Sequence, residues 1–266
     1  TLADFKLSDM NPLITELLKR IKVWSAVDMN PYVNYLINDT ANFRLTAQER
    51  ENLFILTVHL LKNEEQRNYI QLFKMVYSAF ESKTINPSKD ILEILYPLIY
   101  IDEISKSSKP LSIDPIILLS LIRQESVFNP KARSPVGATG LMQVMPATAR
   151  TMRKGIKVSE LEDPSTNIAL GIEYFNKLYT KYNKNLVYVL GGYNAGPLRV
   201  DEWQTTSLHH DEMIFNVENI PFEETRKYVQ LIYRNIFFYK WLYTKKKDPT
   251  DPNKVFDLNF YSSQNN

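Results

Sequence analysis

An all-α fold is predicted by three features of the sequence. No run of alternating apolar and polar residues long enough for a half-buried strand occurs. Apolar residues instead recur at helical spacing over most of residues 11–104. Two Asp-Pro pairs, Asp114-Pro115 and Asp163-Pro164, combine an N-cap with a first-turn proline, a combination that opens helices.

In the N-terminal part, Asn-Pro pairs at Asn11-Pro12, Asn30-Pro31 and Asn86-Pro87 divide the chain into successive amphipathic segments. The clearest apolar stripe is Tyr69, Leu72, Phe73, Val76, Tyr77 and Phe80, which share one face of a helix. Segments 49–62 and 88–104 carry the same pattern. These segments read as stacked helical hairpins, although no internal self-similarity marks a solenoid repeat. Further on, helices are expected from Asp114 to about Ser126, from Pro146 to Lys154 with Gly155 as the stop, from Asp163 to about Tyr182, and from Glu223 to Tyr243.

All seven glycines lie between residues 137 and 196. Glycine serves where the backbone needs positive φ or must approach another group closely, so this stretch is either the ligand-contacting surface or simply more irregular connectivity.

Bulk composition excludes several classes of function. With 44% hydrophobic and 23% charged residues over 266 positions, a sizeable core and two domains are expected, here 1–96 and 97–266. There is no cysteine, which removes disulfides, thiolate nucleophiles and cysteine-based metal sites. His59, His209 and His210 fit no metal-ligand spacing, so no metal is expected. A net charge of +2 gives no nucleic-acid footprint, and the basic run Lys245 to Lys247 reads as a solvated helix end. No apolar stretch suggests a membrane span, and the opening residues TLADFKLSDM lack the basic and apolar regions of a signal peptide. The start at Thr1 suits a mature product or an excised fragment.

The chemistry is expected at the end of the helix 114–126. That helix is apolar at Ile116, Ile117, Leu118, Leu119, Leu121 and Ile122, then closes with Arg123, Gln124, Glu125 and Ser126. Burial disfavours the charged form of Glu125, and the negative end of the helix dipole acts in the same direction. A carboxyl so raised is suited to general acid catalysis near neutral pH, although in isolation a glutamate here is more often a solvated or ion-paired helix end.

Five further segments give Glu125 a context. Phe128-Asn129-Pro130 is followed by Ser134-Pro135-Val136-Gly137-Ala138, and then by Gly140-Leu141-Met142-Gln143 with Met145-Pro146. Gly192-Tyr193-Asn194-Ala195-Gly196-Pro197 comes next, and Glu218-Asn219-Ile220-Pro221-Phe222-Glu223-Glu224-Thr225-Arg226-Lys227-Tyr228-Val229 last. In this order and spacing they resemble the soluble lytic transglycosylases, relatives of goose-type lysozyme. The likeness covers about residues 97–243 and is weaker before them, where the helices look like the end of a larger member's superhelix. Gly192 stands where alanine is usual before Tyr-Asn-Ala-Gly, and Leu198 where glycine commonly follows the proline.

The resemblance implies a lysozyme-like catalytic domain acting on the glycan strands of peptidoglycan in the bacterial periplasm, without a cofactor. It makes Glu125 the single acid and base. Protonation of the glycosidic oxygen between N-acetylmuramic acid and N-acetylglucosamine would be followed by attack of the C6 hydroxyl on C1, giving a 1,6-anhydro end. Ser134 would hydrogen-bond near the reacting sugar, while Gln143 and Met145 would line the cleft. Tyr193 would stand beside the carboxyl, and Tyr174 and Glu224 match two further substrate positions. Independently of the resemblance, Gly191, Gly192, Gly196 and Pro197 bracket Tyr193 in an expected turn that cannot continue a helix, which would hold its hydroxyl pointing at Glu125.

Each position also has a plainer reading. Met142, Met145 and Tyr174 suit a core, Ser134 and Gln143 suit turns, and Glu224 suits the first turn of a helix. The competing functions are a goose-lysozyme-like hydrolase, in which water attacks, and a non-catalytic glycan-binding or helical scaffold.

Overall fold

The computed structural model describes residues 69–81, 85 and 88–244. The expected segments of residues 11–68, the Asn86-Pro87 break and the basic run 245–247 lie outside them. The chain divides into two compact units, Thr1–Pro97 and Leu98–Asn266.

In the first unit, α1 (Tyr69–Glu81) and α2 (Lys89–Leu95) are described. Tyr69, Phe73, Val76 and Ala79 are buried, as the stripe requires, whereas Tyr77 lies at the exposed edge of that face. Ser88 caps α2, its hydroxyl accepting the Ile91 N–H at 3.4 Å. The segment 88–104, which reads as one helix, is broken after Leu95. Pro97 explains the break, because a residue before proline is driven out of the α region, and Tyr96 sits at φ −127°.

The second unit begins with α3 (Ile101–Ser108), a short 3₁₀ turn over Lys109–Leu111, and α4 (Pro115–Ser126). Then come α5 (Pro146–Met152), a 3₁₀ turn over Val158–Glu162, α6 (Pro164–Lys181) and α7 (Leu186–Ala195). Helices α8 (Pro197–Thr206), α9 (Met213–Glu218) and α10 (Glu223–Tyr243) complete it. Among the described residues the only β pairing is two isolated bridges, Arg133 with Thr139 and Thr139 with Val144. No helix among them is long and apolar enough to cross a membrane.

The centre of this unit is the packing of α4 along α10. Leu118, Leu119, Leu121 and Ile122 of α4 are fully buried. They face a stripe on α10 made of Tyr228, Val229, Ile232, Ile236 and Tyr239, whose spacing of three and four residues keeps one side of a helix on the core. Polar pairs fix the register between the two helices. Arg123, 5% exposed, donates to Asn235 Oδ1 at 3.1 Å, and Asn235 donates to the Ser120 carbonyl at 3.3 Å. At the other end, Asp114 accepts the Ile116 N–H at 2.9 Å as the N-cap of α4 and takes Lys240 Nζ at 2.8 Å on its second oxygen. A slip of one turn would separate both sets, so Glu125 at the end of α4 meets a fixed part of α10.

The other helices wall this pair. Asp163 caps α6, accepting the Thr166 N–H at 2.8 Å, and α7 packs against α6, α8 and α10. The glycine-rich stretch around Tyr193, expected as a turn, is the end of helix α7. Gly191 and Gly192 lie inside that helix because a Cβ there would crowd Val200 at 3.2 Å and Tyr182 at 3.1 Å, so they permit close helix packing.

Candidate active site

Glu125 sits in the last turn of α4, half-buried among the apolar residues that precede it and with an opening to solvent. The helix stops at once, because both Val127 and Phe128 adopt left-handed backbone, at φ 52° and 61°. For a β-branched residue such as Val127 this conformation is strained, and local strain of this kind is commonly found where a functional group is held in place.

Burial pushes the Glu125 carboxyl up to about 7, and a hydrogen bond from Tyr228 offsets part of that rise. The Tyr228 hydroxyl donates to Glu125 Oε1 across 103 positions of sequence. Burial first, and then the Glu125 charge, hold the phenols of Tyr228 and Tyr193 well above their ordinary pKa, so both remain neutral donors. Among the described residues no second carboxylate contributes to the Glu125 shift. The arrangement is that of one carboxyl able to give and take a proton near neutral pH, with a single donor aimed at its charged form.

The other expected residues surround this centre in different ways. Tyr193 is close enough to feel the Glu125 charge, but its hydroxyl does not point at Glu125. It donates instead to the Met142 carbonyl at 2.8 Å, because the end of α7 faces the loop that carries Met142. Its ring packs on Tyr174, with centroids 5.3 Å apart, and Tyr174 is half-buried. Tyr174 and Tyr193 thus form one aromatic wall beside the carboxyl.

Ser134 and Gln143 hold the loop between α4 and α5. The Ser134 hydroxyl accepts the Ala138 N–H at 2.9 Å, and the Gln143 amide nitrogen donates to the Ala132 and Gly140 carbonyls at 3.1 and 2.9 Å. Met145, 38% exposed, precedes α5 and presents an apolar side chain to solvent. Glu224 is exposed in the first turn of α10. The residue after it, Thr225, donates to Asn194 Oδ1 at 2.7 Å, which ties the start of α10 to the end of α7.

The sequence reading passed over Tyr228 and Asn167. Asn167 is fully buried, accepts the Met142 N–H at 2.8 Å and donates to the Thr139 and Leu161 carbonyls at 2.8 and 2.7 Å. Two of these bonds clasp the Thr139–Met142 loop onto α6, and the third ties α6 to the 3₁₀ turn that holds Leu161. Gly140 has φ +83° and lies against Asn167, and Gly171 lies against Met142, so a side chain at either would displace the clasp. The visible signal for Tyr228 was the α10 stripe, in which a tyrosine falls on the core face one turn past Glu224.

Residues 102–216 match the family model described as the transglycosylase SLT domain. These residues are the part of the chain that is similar to an SLT domain. The chain is 37% identical over 195 residues to the soluble lytic murein transglycosylase of Escherichia coli K12, a match covering 69% of this chain and 30% of that protein. The structure resembles that of the 70 kDa soluble lytic transglycosylase from Escherichia coli, with TM-score 0.61 and 29% identity over 90% of this chain and 36% of the other. It also resembles an inactive glutamate-to-glutamine mutant of the lytic transglycosylase Slt from Pseudomonas aeruginosa, with TM-score 0.58 and 27% identity over 89% of this chain and 38% of that one. The chain therefore spans about a third of the length of these relatives. Glu125, the 131–145 loop, Tyr174 and Tyr193 lie inside the SLT match, whereas Glu224 and Tyr228 are brought to it by α10, beyond the matched residues.

Proposed function

We propose that this chain is the catalytic part of a lytic transglycosylase that cleaves peptidoglycan glycan strands, with Glu125 as its only acid and base. The observation that carries this reading is a half-buried carboxyl raised to about 7, bonded by one tyrosine, in a region similar to an SLT domain. Glycosidases of the usual kind need two carboxyl groups in fixed separation, and a single one demands another source of nucleophile.

Protonated Glu125 gives its proton to the glycosidic oxygen as the bond from muramic C1 to that oxygen breaks. The muramic N-acetyl group stabilises the cationic C1, which removes the need for a second carboxylate. Glu125, now charged and held by Tyr228, takes the proton of the C6 hydroxyl, whose oxygen bonds to C1 and closes the 1,6-anhydro ring. The carboxyl ends as it began, and no water is consumed. Tyr174 and Tyr193 form one wall for the sugars, the loop of Ser134, Gln143 and Met145 forms the other, and Glu224 contacts the strand at the edge. Such a substrate places the protein in the bacterial periplasm, with residues 1–96 as the end of a helical superhelix.

Glu125→Gln tests this reading, since the amide keeps the shape and cannot transfer the proton. Its rate of clearing purified cell walls should fall by roughly 10²- to 10⁴-fold. Retention of the parent rate would remove Glu125 from the mechanism.

A further inference from the structure

Two of the motifs around Glu125 meet at a hydrogen bond that the reaction chemistry leaves unused. Asn194 follows Tyr193 in the last turn of α7, and Thr225 follows Glu224 in the first turn of α10. The Thr225 hydroxyl, on a side chain 2% exposed, donates to Asn194 Oδ1 at 2.7 Å across 31 positions of sequence. Bonds between helices commonly serve packing alone, by satisfying a buried polar group. The place of this one gives it leverage on Glu125.

Thr225 lies three residues before Tyr228, and residues so spaced are neighbours on one helix face, with Cβ atoms about 5–6 Å apart. Both are buried, and Tyr228 in turn donates to Glu125. Tyr193, the neighbour of Asn194, is close enough for its phenol to feel the Glu125 charge. One chain of contacts therefore runs from the end of α7, through the first turn of α10, to the carboxyl. The other bonds at this end of α10 do not replace it. Phe222, at the N-cap, gives the first turn no side-chain bond. Arg226 donates to the Glu218 and Ile220 carbonyls at 3.2 and 3.1 Å, which fastens the turn that precedes α10 and not α7. The polar pairs between α4 and α10 stand later in α10, at Asn235 and Lys240.

We propose that Thr225 and Asn194 form a positioning pair for the acid and base, holding the Tyr228 hydroxyl on Glu125 and the Tyr193 ring beside it. Reacting groups need their place held to within about 0.5 Å, and hydrogen bonds weaken steeply as their geometry opens. Without the pair, the first turn of α10 drifts from α7 and the Tyr228 bond lengthens. The charged carboxyl then loses part of its donor, and Glu125 keeps its proton to higher pH. The titratable groups beside Glu125 on the packed helices are Tyr228 of α10 and Tyr193 of α7, with Tyr174 of α6 against Tyr193. Arg123 of its own helix turns to Asn235. Asp102, Glu103 and Lys106 of α3 are exposed, as are Glu223, Glu224 and Lys227 at the start of α10. The inference rests on the reading of Glu125 as the acid and base.

Titration of Glu125 by carboxyl carbon-13 NMR tests the pair on the full chain and without substrate, the signal being the one lost in Glu125→Gln. Thr225→Val keeps the shape and removes the donor. It should raise the Glu125 midpoint by about half a pKa unit to one, and lower kcat about threefold to tenfold with KM within about twofold. Thr225→Ser should restore both. In a Tyr228→Phe background, Thr225→Val should move the midpoint no further, because the bond it positions is already gone. A midpoint unmoved by Thr225→Val, or moved as far in the Tyr228→Phe background as in the parent, would overturn the proposal. A lower melting temperature by itself does not move the midpoint of a folded site. Should Thr225→Val fail to fold, Asn194→Ala breaks the same bond from the solvent side and must give the same rise. Failure of the activity reading shows separately, as cell walls left intact by the parent protein.

Discussion

Replacing Tyr228 by Phe deletes one oxygen atom and, with it, the donor that reaches Glu125. That bond favours the charged carboxyl, while burial opposes the charge, and the two together leave the group at about 7. Hydrogen bonds to charged groups contribute ~1.5–3 kcal/mol, and one pKa unit corresponds to ~1.36 kcal/mol, so losing the donor raises the Glu125 pKa by about one to two units. The sign is fixed: the acid form gains, and the alkaline limb of the kcat/KM profile moves upward by about one unit or more. Near neutrality a carboxyl that holds its proton more tightly gives it to the glycosidic oxygen less readily, and turnover should drop about tenfold. The assay is release of soluble fragments from sacculi at pH values from about 5 to 10, with the melting temperature measured in parallel. Tyr228 acts through Glu125 and is a positioning residue, so the profile is the decisive readout. An alkaline limb that stays in place would refute the account of how Glu125 is tuned, even if the rate fell.

Tyr193→Phe should behave differently, since its hydroxyl serves the Met142 carbonyl. We expect a loss of ~1–3 kcal/mol of stability, a lower rate and an unmoved alkaline limb, and a shifted limb would show that Tyr193 acts on Glu125 directly. Glu125→Gln should be more stable than the parent at high pH. A buried carboxyl raised from 4.5 to about 7 costs the folded state nothing below pH 4.5 and up to ~3 kcal/mol above 7, so the melting-temperature difference should grow across that window. Parallel curves would contradict it. Asn167→Ala removes the clasp on the Thr139–Met142 loop and should cost ~3 kcal/mol or more by denaturant unfolding, and a loss under ~1 kcal/mol would show that the loop is held otherwise. Val127→Gly relieves a strained left-handed residue and should raise stability by ~1 kcal/mol, and a loss of stability would mean that the Val127 side chain is held by packing.

The parts of this structure legible in the sequence are those fixed by neighbours along the chain. The openings of α4 and α6 follow from Asp-Pro pairs, and both ends of α10 fall where its pattern places them. The apolar run before Glu125 foretells a raised carboxyl for the same local reason. What depends on distant partners was not legible. Gly191 and Gly192 read as a turn because helix disfavours glycine, yet α7 uses them to approach Tyr182 and Val200. From that error came the expectation that Tyr193 points at Glu125, whereas a helical Tyr193 reaches Met142. The donor to Glu125 is Tyr228, on a helix 103 residues away, and which of 16 tyrosines arrives there depends on the register of α4 against α10. Asn167 escaped notice for the same reason, since nothing local marks an asparagine that bonds to a loop 25 residues earlier.

Whether one carboxyl performs a non-hydrolytic cleavage is tested most directly by the mass of the muropeptides that the protein releases from purified sacculi. Attack by the C6 hydroxyl predicts anhydro-muramic ends lighter by one water than hydrolytic ends, formed by the parent and absent with Glu125→Gln. Reducing ends of full hydrolytic mass, formed in a Glu125-dependent way, would contradict the account, because water and not the C6 hydroxyl would then be the nucleophile.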